Sequence, residues 1–193
     1  MARPRSFDTD DALEKAMHVF WQRGYEGASL PDLLDGMGLT RGSLYKAFTD
    51  KKTLFLKVLE RYETQAVEAG VAMLSDPAVP NGAERIMAMF RGSYQNVVEG
   101  DARGCLLCTA AAGPCNYDEE IAKAVSRGLG TLRGGIYVAL GASPRHATLS
   151  EAERGALADM VLAQYVGLRT MARARIDHGT LHNIVRSVGV MLA

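Results

Sequence analysis

The chain has 193 residues, 48% of them hydrophobic, with 22 basic and 22 acidic side chains and a formal net charge of zero. That size fits one compact unit or two small ones, with ample apolar content for a core. Zero net charge excludes a global attraction to nucleic acid or anionic membranes, so such a partner has to be met by a local patch. No apolar run approaches the roughly 18–20 residues of a membrane span, and MARPRSFDTDD lacks the apolar core of a signal peptide. Three cysteines, an odd number, argue against a secreted disulfide framework. A cytoplasmic protein is expected.

The opening MARPRSF is basic, with Arg3 and Arg5 and no acid. It reads either as an arm that enters the minor groove, as homeodomain arms do, or as a frayed end. A helix is expected from about Asp8 to Arg23. Asp8, Asp10, Asp11 and Glu14 crowd its start, where the macrodipole favours them. Leu13, Ala16, Met17 and Phe20 form its inner stripe, and Gly24 ends it. Trp21, the single tryptophan, is expected to pack within a small N-terminal unit.

Ser29 to Arg61 is the most informative stretch. Ser29 can cap a short helix with Asp32 in its first turn, and Pro31 sits where a missing N–H costs nothing. Leu33, Leu34 and Met37 give that helix a buried face, and Gly38 stops it. Leu39 can fill the corner, and Thr40 can cap a second short helix. Two short helices joined through a glycine-bearing turn match the helix-turn-helix pattern, whose second helix lies in the DNA major groove.

That second helix offers hydroxyls and cations: Thr40, Arg41, Gly42, Ser43, Tyr45 and Lys46, with Leu44, Ala47 and Phe48 facing inward. Gly42 weakens the helix by about 1 kcal/mol against alanine, which suits a backbone that something must approach closely. Asp50 caps the next helix, whose start carries Lys51 and Lys52 and suits a phosphate. From residue 40 to 52, four bases face one acid.

The runs FWQRGYEGASLPDLLDGMGL and TRGSLYKAFTDKKTLF resemble the TetR family of transcriptional regulators. The resemblance is dense over about residues 10–60 and only architectural past residue 65. Leu33-Leu34-Asp35 departs from the family's frequent Ile or Val followed by Ala, and Lys46 stands where an aromatic residue or His is frequent, which leaves the operator open. The fold expected is all-α. Residues 1–52 form a three-helix DNA-binding domain with the helix-turn-helix, and residues 53–193 a helical effector-binding and dimerisation domain. The DNA-facing set is Arg3, Arg5, Ser29, Thr40, Arg41, Gly42, Ser43, Tyr45, Lys46, Lys51 and Lys52.

A long helix is expected from Lys51 to about Leu74, with Leu54, Phe55, Val58, Leu59, Tyr62, Ala66 and Met73 at helical spacing. SDPAVPNG breaks it, and another helix follows from about Ala83 to Glu99. GCLLCTAAAGPC then holds all three cysteines. A metal site would have one CxxC without a second pair, and the histidines lie far off in sequence. A thioredoxin-like motif would need a preceding strand, and none is visible. A thiol sensor would use Cys105, placed at a helix start where thiolate is favoured; some TetR-like regulators carry a similar stretch. Plain packing of small thiols against neighbouring helices is the commoner role.

Asn116 to Glu119 resembles a capping box for a glycine-bearing helix reaching about Leu140. Ser150 with Glu153 caps a helix to about Ile176, apolar nearly all round from Gly155 to Leu168 and hence buried on more than one side. A last helix begins near Thr180. These two helices read as a subunit interface through Leu157, Val161, Leu168, Leu181, Val185 and Val188, where TetR-like proteins form a four-helix contact. An effector pocket is expected among the helices running from about Ala83 to about Ile176, lined by Phe90, Tyr94, Cys108, Tyr117, Met160, Gln164 and Tyr165.

The function these features point to is a homodimeric regulator, most simply a repressor released from a pseudo-palindromic operator by a small-molecule effector, with no metal or cofactor. An enzyme is the competing class. No nucleophile–base–acid set, strand-linked phosphate loop or HExxH occurs. A constitutive DNA-binding protein would be favoured by a solid core without a cavity.

Overall fold

The computed structural model describes residues 8–193; the basic arm with Arg3 and Arg5 lies outside them. No strand occurs among the described residues, and ten α-helices account for most of them. The first four are α1 (Thr9–Gly27), α2 (Leu30–Met37), α3 (Arg41–Phe48) and α4 (Lys51–Tyr62). Asp8 caps α1 by accepting from the Asp10 N–H, and Gly24 interrupts it at φ 72° before a last turn. Ser29 and Asp32 form a reciprocal capping box on α2, and Thr40 and Asp50 cap α3 and α4 through the N–H groups of Ser43 and Thr53. Gly38 ends α2 in the left-handed region, φ 66°, which a side chain would resist. Each turn of the motif is thus fixed by residues within it.

The aromatic rings of Phe20, Tyr25 and Phe55 bind α1 to α4, with centroids 4.8 Å apart for Phe20–Phe55 and 4.9 Å for Tyr25–Phe55. Leu33, Leu44 and Phe48 complete this core fully buried. At such burial each side chain contributes about 1.5–3 kcal/mol, so α2 and α3 hold their crossing without a long helix of their own.

The expected single helix from Lys51 to Leu74 is instead α4, a π-helical turn over Glu63–Val67, and α5 (Glu68–Leu74). Regular spacing from Tyr62 would bury Ala66; the extra residue of the π turn exposes Ala66 and buries Val67. The chain continues through α6 (Gly82–Val98), α7 (Leu106–Ala112), a 3-10 turn (Pro114–Tyr117), α8 (Glu119–Gly141), α9 (Glu151–Arg173) and α10 (His178–Leu192). Asp118 rather than Asn116 caps α8, accepting from the N–H groups of Glu120 and Ile121. Helix α8 packs on α9, α5 and α6, and α10 packs on α6 and α9.

Two expectations need correction. Trp21 does not stay within the N-terminal unit: its ring meets Tyr62 edge-on at 5.1 Å, Arg103 lies 4.2 Å above it, and its Nε1 donates to the Gly104 carbonyl at 3.3 Å. The proposed interface residues Val161, Leu168, Leu181, Val185 and Val188 are buried inside the chain itself, and Leu157 is half-buried. A nearly all-round apolar helix satisfied most of its burial against α8 and α10, so the outward face is another one. Along α9 it carries Ala156, Met160, Ala163 and Gln164, with Val190 on α10 exposed by 75%.

Candidate functional site

Helix α3 turns Leu44 and Phe48 inward and leaves Arg41, Gly42, Tyr45 and Lys46 on the outer face. The Thr40 and Ser43 hydroxyls lie 3.0 Å apart at its start, and the Arg41 guanidinium sits 5.7 Å from the Tyr45 ring centre. Neither Arg41 nor Lys46 makes an ion pair among the described residues. A Cβ at Gly42 would meet nothing within 4 Å, so no packing inside the chain requires glycine there. Ser29 is exposed, its hydroxyl engaged with Asp32 at 2.5 Å.

The two lysines of α4 depart from the expected phosphate pair. Lys51 lies over the Tyr25 ring at 4.5 Å, and burial lowers its ammonium below the usual lysine range. Lys52 is bound by Asp118 at 2.7 Å and Glu120 at 2.8 Å; the hydrogen bonds its ammonium donates to these two carboxylates raise its pKa well above the usual lysine range. Both carboxylates stand at the start of α8, so Lys52 joins the first turn of α4 to the C-terminal helices. Further ties run from the Cys115 N–H to Glu26, 2.5 Å, and from Arg173 to the carbonyls of Trp21 and Gln22, 2.7 and 3.2 Å.

Behind this junction lie adjoining cavities. One of about 390 Å³ is framed by α5, α6 and α9 and reaches Trp21, Tyr62, Met89, Ser93, Asp101, Tyr165 and Arg169. A narrower apolar one shares Tyr62, Tyr165 and Arg169 and adds Leu107, Cys108, Leu129 and Leu132. Of the residues expected in a pocket, Tyr165 and Cys108 line these cavities. Phe90 is fully buried with its ring 5.4 Å from Tyr165, supporting the wall from behind. Tyr94 pairs with His182 at 5.6 Å. Tyr117, exposed by 94%, and Met160, exposed by 52%, face outward, as does Gln164. Spacing within one helix cannot say which of its faces a distant helix covers. Tyr62 and Arg169 also line these cavities and were not expected there, although Arg169 is the one charged residue between Asp159 and Arg173 and stands one turn after Tyr165.

Cys105 caps α7 after Gly104, whose φ of 76° and tight approach to the Arg169 carbonyl require glycine. Hydrogen bonding from Cys108 first, then from the Tyr62 hydroxyl at 3.5 Å, with the Arg169 charge, lowers the Cys105 thiol to about 6 against its burial. The adjacent Cys105 pushes Cys108 upward. Burial, then the Glu26 charge, raises Cys115 to about 11, and its Sγ faces the Ala110 carbonyl at 3.5 Å. No cluster of three metal-ligating side chains occurs among the described residues, and none of their helices is long and apolar enough to cross a membrane.

Comparison with known proteins agrees with this geometry. The sequence profile of the bacterial regulatory proteins of the tetR family matches residues 12–58. The transcriptional repressor ComR of Escherichia coli (strain K12) is 53% identical over 60 residues, 31% of this chain and 29% of ComR. The HTH-type transcriptional regulator YezE of Bacillus subtilis (strain 168) is 31% identical over 138 residues, 71% of this chain and 70% of YezE. A cysteine mutant of the TetR family regulator CifR, solved with 26-bp double-strand operator DNA, superposes with a TM-score of 0.84 at 30% identity, covering 96% of this chain and 97% of that one. Helix-turn-helix, all-α architecture and relatives agree: the chain belongs to the TetR family of DNA-binding transcriptional regulators.

Proposed function

We propose that the protein is a cytoplasmic homodimeric repressor, not an enzyme, that a small-molecule effector releases from a pseudo-palindromic operator. Residues 1–52 read the DNA and residues 53–193 sense the effector and dimerise. The observation that supports gating is the course of α4. It starts at Lys51, immediately after the DNA-facing α3, and ends at Tyr62 in the cavity wall. An effector that prefers one setting of Tyr62 biases the other end of the same helix. The cavities also favour gating over constitutive binding. Dimerisation fits the outward face of α9, where Ala156, Met160 and Ala163 allow close helix approach; a two-fold partner would set the recognition helices about 34–36 Å apart, one turn of DNA.

A mobility-shift assay on the DNA upstream of the protein's own gene tests this, with native mass spectrometry of any co-purified small molecule. A shift by a dimer, reversed by that molecule, is the expected result; a shift insensitive to every extract fraction would leave a constitutive binder.

A second reading rests on Cys105. A thiol lowered below the ordinary cysteine range by its neighbours carries more thiolate at neutral pH, the species that meets oxidants and electrophiles. Its contact with Tyr62 puts modification on the same helix α4. This thiol-sensing alternative is compatible with the cavity and separable from it by Cys105→Ser.

A further inference from the structure

Two arginines are more than nine-tenths buried, Arg85 and Arg169. Arg85 gives its guanidinium to the Leu74 carbonyl at the end of α5 and to the Val79 carbonyl in the following loop. Arg169 donates to the Gly104 carbonyl alone, and no carboxylate lies within ion-pair distance among the described residues. Its other nitrogens are not sealed off, since Arg154 Nε is the one fully buried side-chain nitrogen without a partner among the described residues. They open instead onto the two cavities described above, which meet at this side chain.

A guanidinium has five N–H donors in a planar fork. With no carboxylate of the chain on it, the fork keeps donors that a ligand carboxylate can take with two parallel hydrogen bonds. The anionic groups nearby do not fill that role. Asp101 is held at both oxygens by Arg103, at 2.8 Å each, and Tyr62 is a phenol that burial keeps protonated. Cys105 presents a single sulfur, already in contact with the Tyr62 hydroxyl. The open cleft of about 390 Å³ continues from Arg169 over Ala66, Gly70, Met73 and Met89, an apolar wall with Ala66 and Met73 exposed at its mouth. Ser93 and Tyr165, their hydroxyls 2.9 Å apart, stand beside the charged end.

We propose that this cavity binds an amphipathic monocarboxylate, its carboxylate on the Arg169 fork and its aliphatic chain along Ala66, Gly70, Met73 and Met89. One cation sets the charge of the ligand, and Asp101 at the same end disfavours a dianion such as a phosphate monoester. The assignment names the class of effector and so rests on the reading of the chain as an effector-gated regulator.

Octanoate and its uncharged counterpart octan-1-ol are the probes, titrated calorimetrically into the full-length dimer at pH 7.5. Saturable binding of octanoate, at least about tenfold tighter than octan-1-ol and about tenfold weakened in Arg169→Gln, is expected, the loss of one charge-assisted fork. No octanoate binding, equal binding of the alcohol, or undiminished binding by folded Arg169→Gln overturns the proposal. Should Arg169→Gln fail to fold, the wild-type Cys105 thiol reads the same contact. Its alkylation midpoint rises when octanoate takes up the Arg169 charge and stays fixed with octan-1-ol; an unmoved midpoint at saturating octanoate also overturns it. Operator retardation is assayed separately. Octanoate that binds through Arg169 without releasing DNA keeps the site and removes the gating function, whereas release by a neutral co-purified molecule, with no octanoate binding, keeps gating and removes the site.

Discussion

The Lys52 ammonium lies 2.7 Å from the Asp118 carboxylate, so a lysine in the first turn of α4 is committed to the capping residue of α8. Glu120 holds the same ammonium at 2.8 Å. A phosphate brought to Lys52 would compete with these carboxylates for one cation, and DNA engagement would then be linked to the position of α8, which lines the narrower cavity. In the double variant Asp118→Asn, Glu120→Gln, Lys52 becomes available to the duplex. Operator affinity should rise at low salt, with the dimer's log K against log salt slope steeper by about two, about one for each protomer's Lys52. An unchanged slope would show that Lys52 stays off the DNA in either case. Asn retains the capping oxygen of Asp118, so α8 should persist by circular dichroism.

Recognition by α3 makes a different signature. Tyr45→Ala or Lys46→Ala should abolish preference for the operator while the fold and dimer persist, because both side chains project outward and carry little of the core. Gly42→Ala separates stability from function in one residue. With no atom of the chain in its way, alanine should raise stability by up to about 1 kcal/mol and still weaken operator binding. A thermal melt beside an anisotropy titration checks both signs; a variant that is stabilised and binds normally would mean that DNA keeps its distance from Gly42.

The burial pattern of the last two helices predicts two different failures. Val188→Asp places a carboxylate in the core of a single chain and should destabilise folding by about 3 kcal/mol or more. Met160→Asp, on the outer face, should leave helicity intact and yield a monomer in sedimentation. If Met160→Asp remains dimeric at micromolar concentration, the seam lies elsewhere.

Thiol reactivity should single out Cys105. Its alkylation rate is expected to follow thiolate formation through a midpoint of about 6, while Cys115, raised to about 11, stays unreactive at pH 7. Cys108→Ala and Tyr62→Phe each remove a hydrogen bond that favours the thiolate, so both should move the midpoint upward, Cys108→Ala by more. Equal labelling of all three cysteines at pH 7 would exclude a selective sensor.

Local chemistry made the N-terminal half legible. Ser29 with Asp32, Gly38, Thr40 and Asp50 each act on residues within four positions, so their caps and turns can be read without knowing the fold. The cavity was legible only in part. Tyr165 was within reach because it falls among apolar neighbours on a helix, but Met160 and Gln164, on the same helix, point outward. Which face α8 and α10 cover is set by packing between segments far apart in sequence. The π turn that replaces Ala66 by Val67 in the buried register, and the crossing that brings Asp118 to Lys52, arise from the same distant packing and leave no local mark.

The central claim is that α3 reads a specific operator on behalf of a dimer. Fluorescence-anisotropy titration of the protein against DNA from upstream of its own gene, beside scrambled DNA of equal length, tests it most directly. The expected result is two chains per site, affinity for the upstream fragment at least about 10³-fold above the scrambled one, and loss of that ratio in Tyr45→Ala with its fold unchanged. Equal affinity for both fragments, or a ratio that survives Tyr45→Ala and Lys46→Ala together, would contradict it.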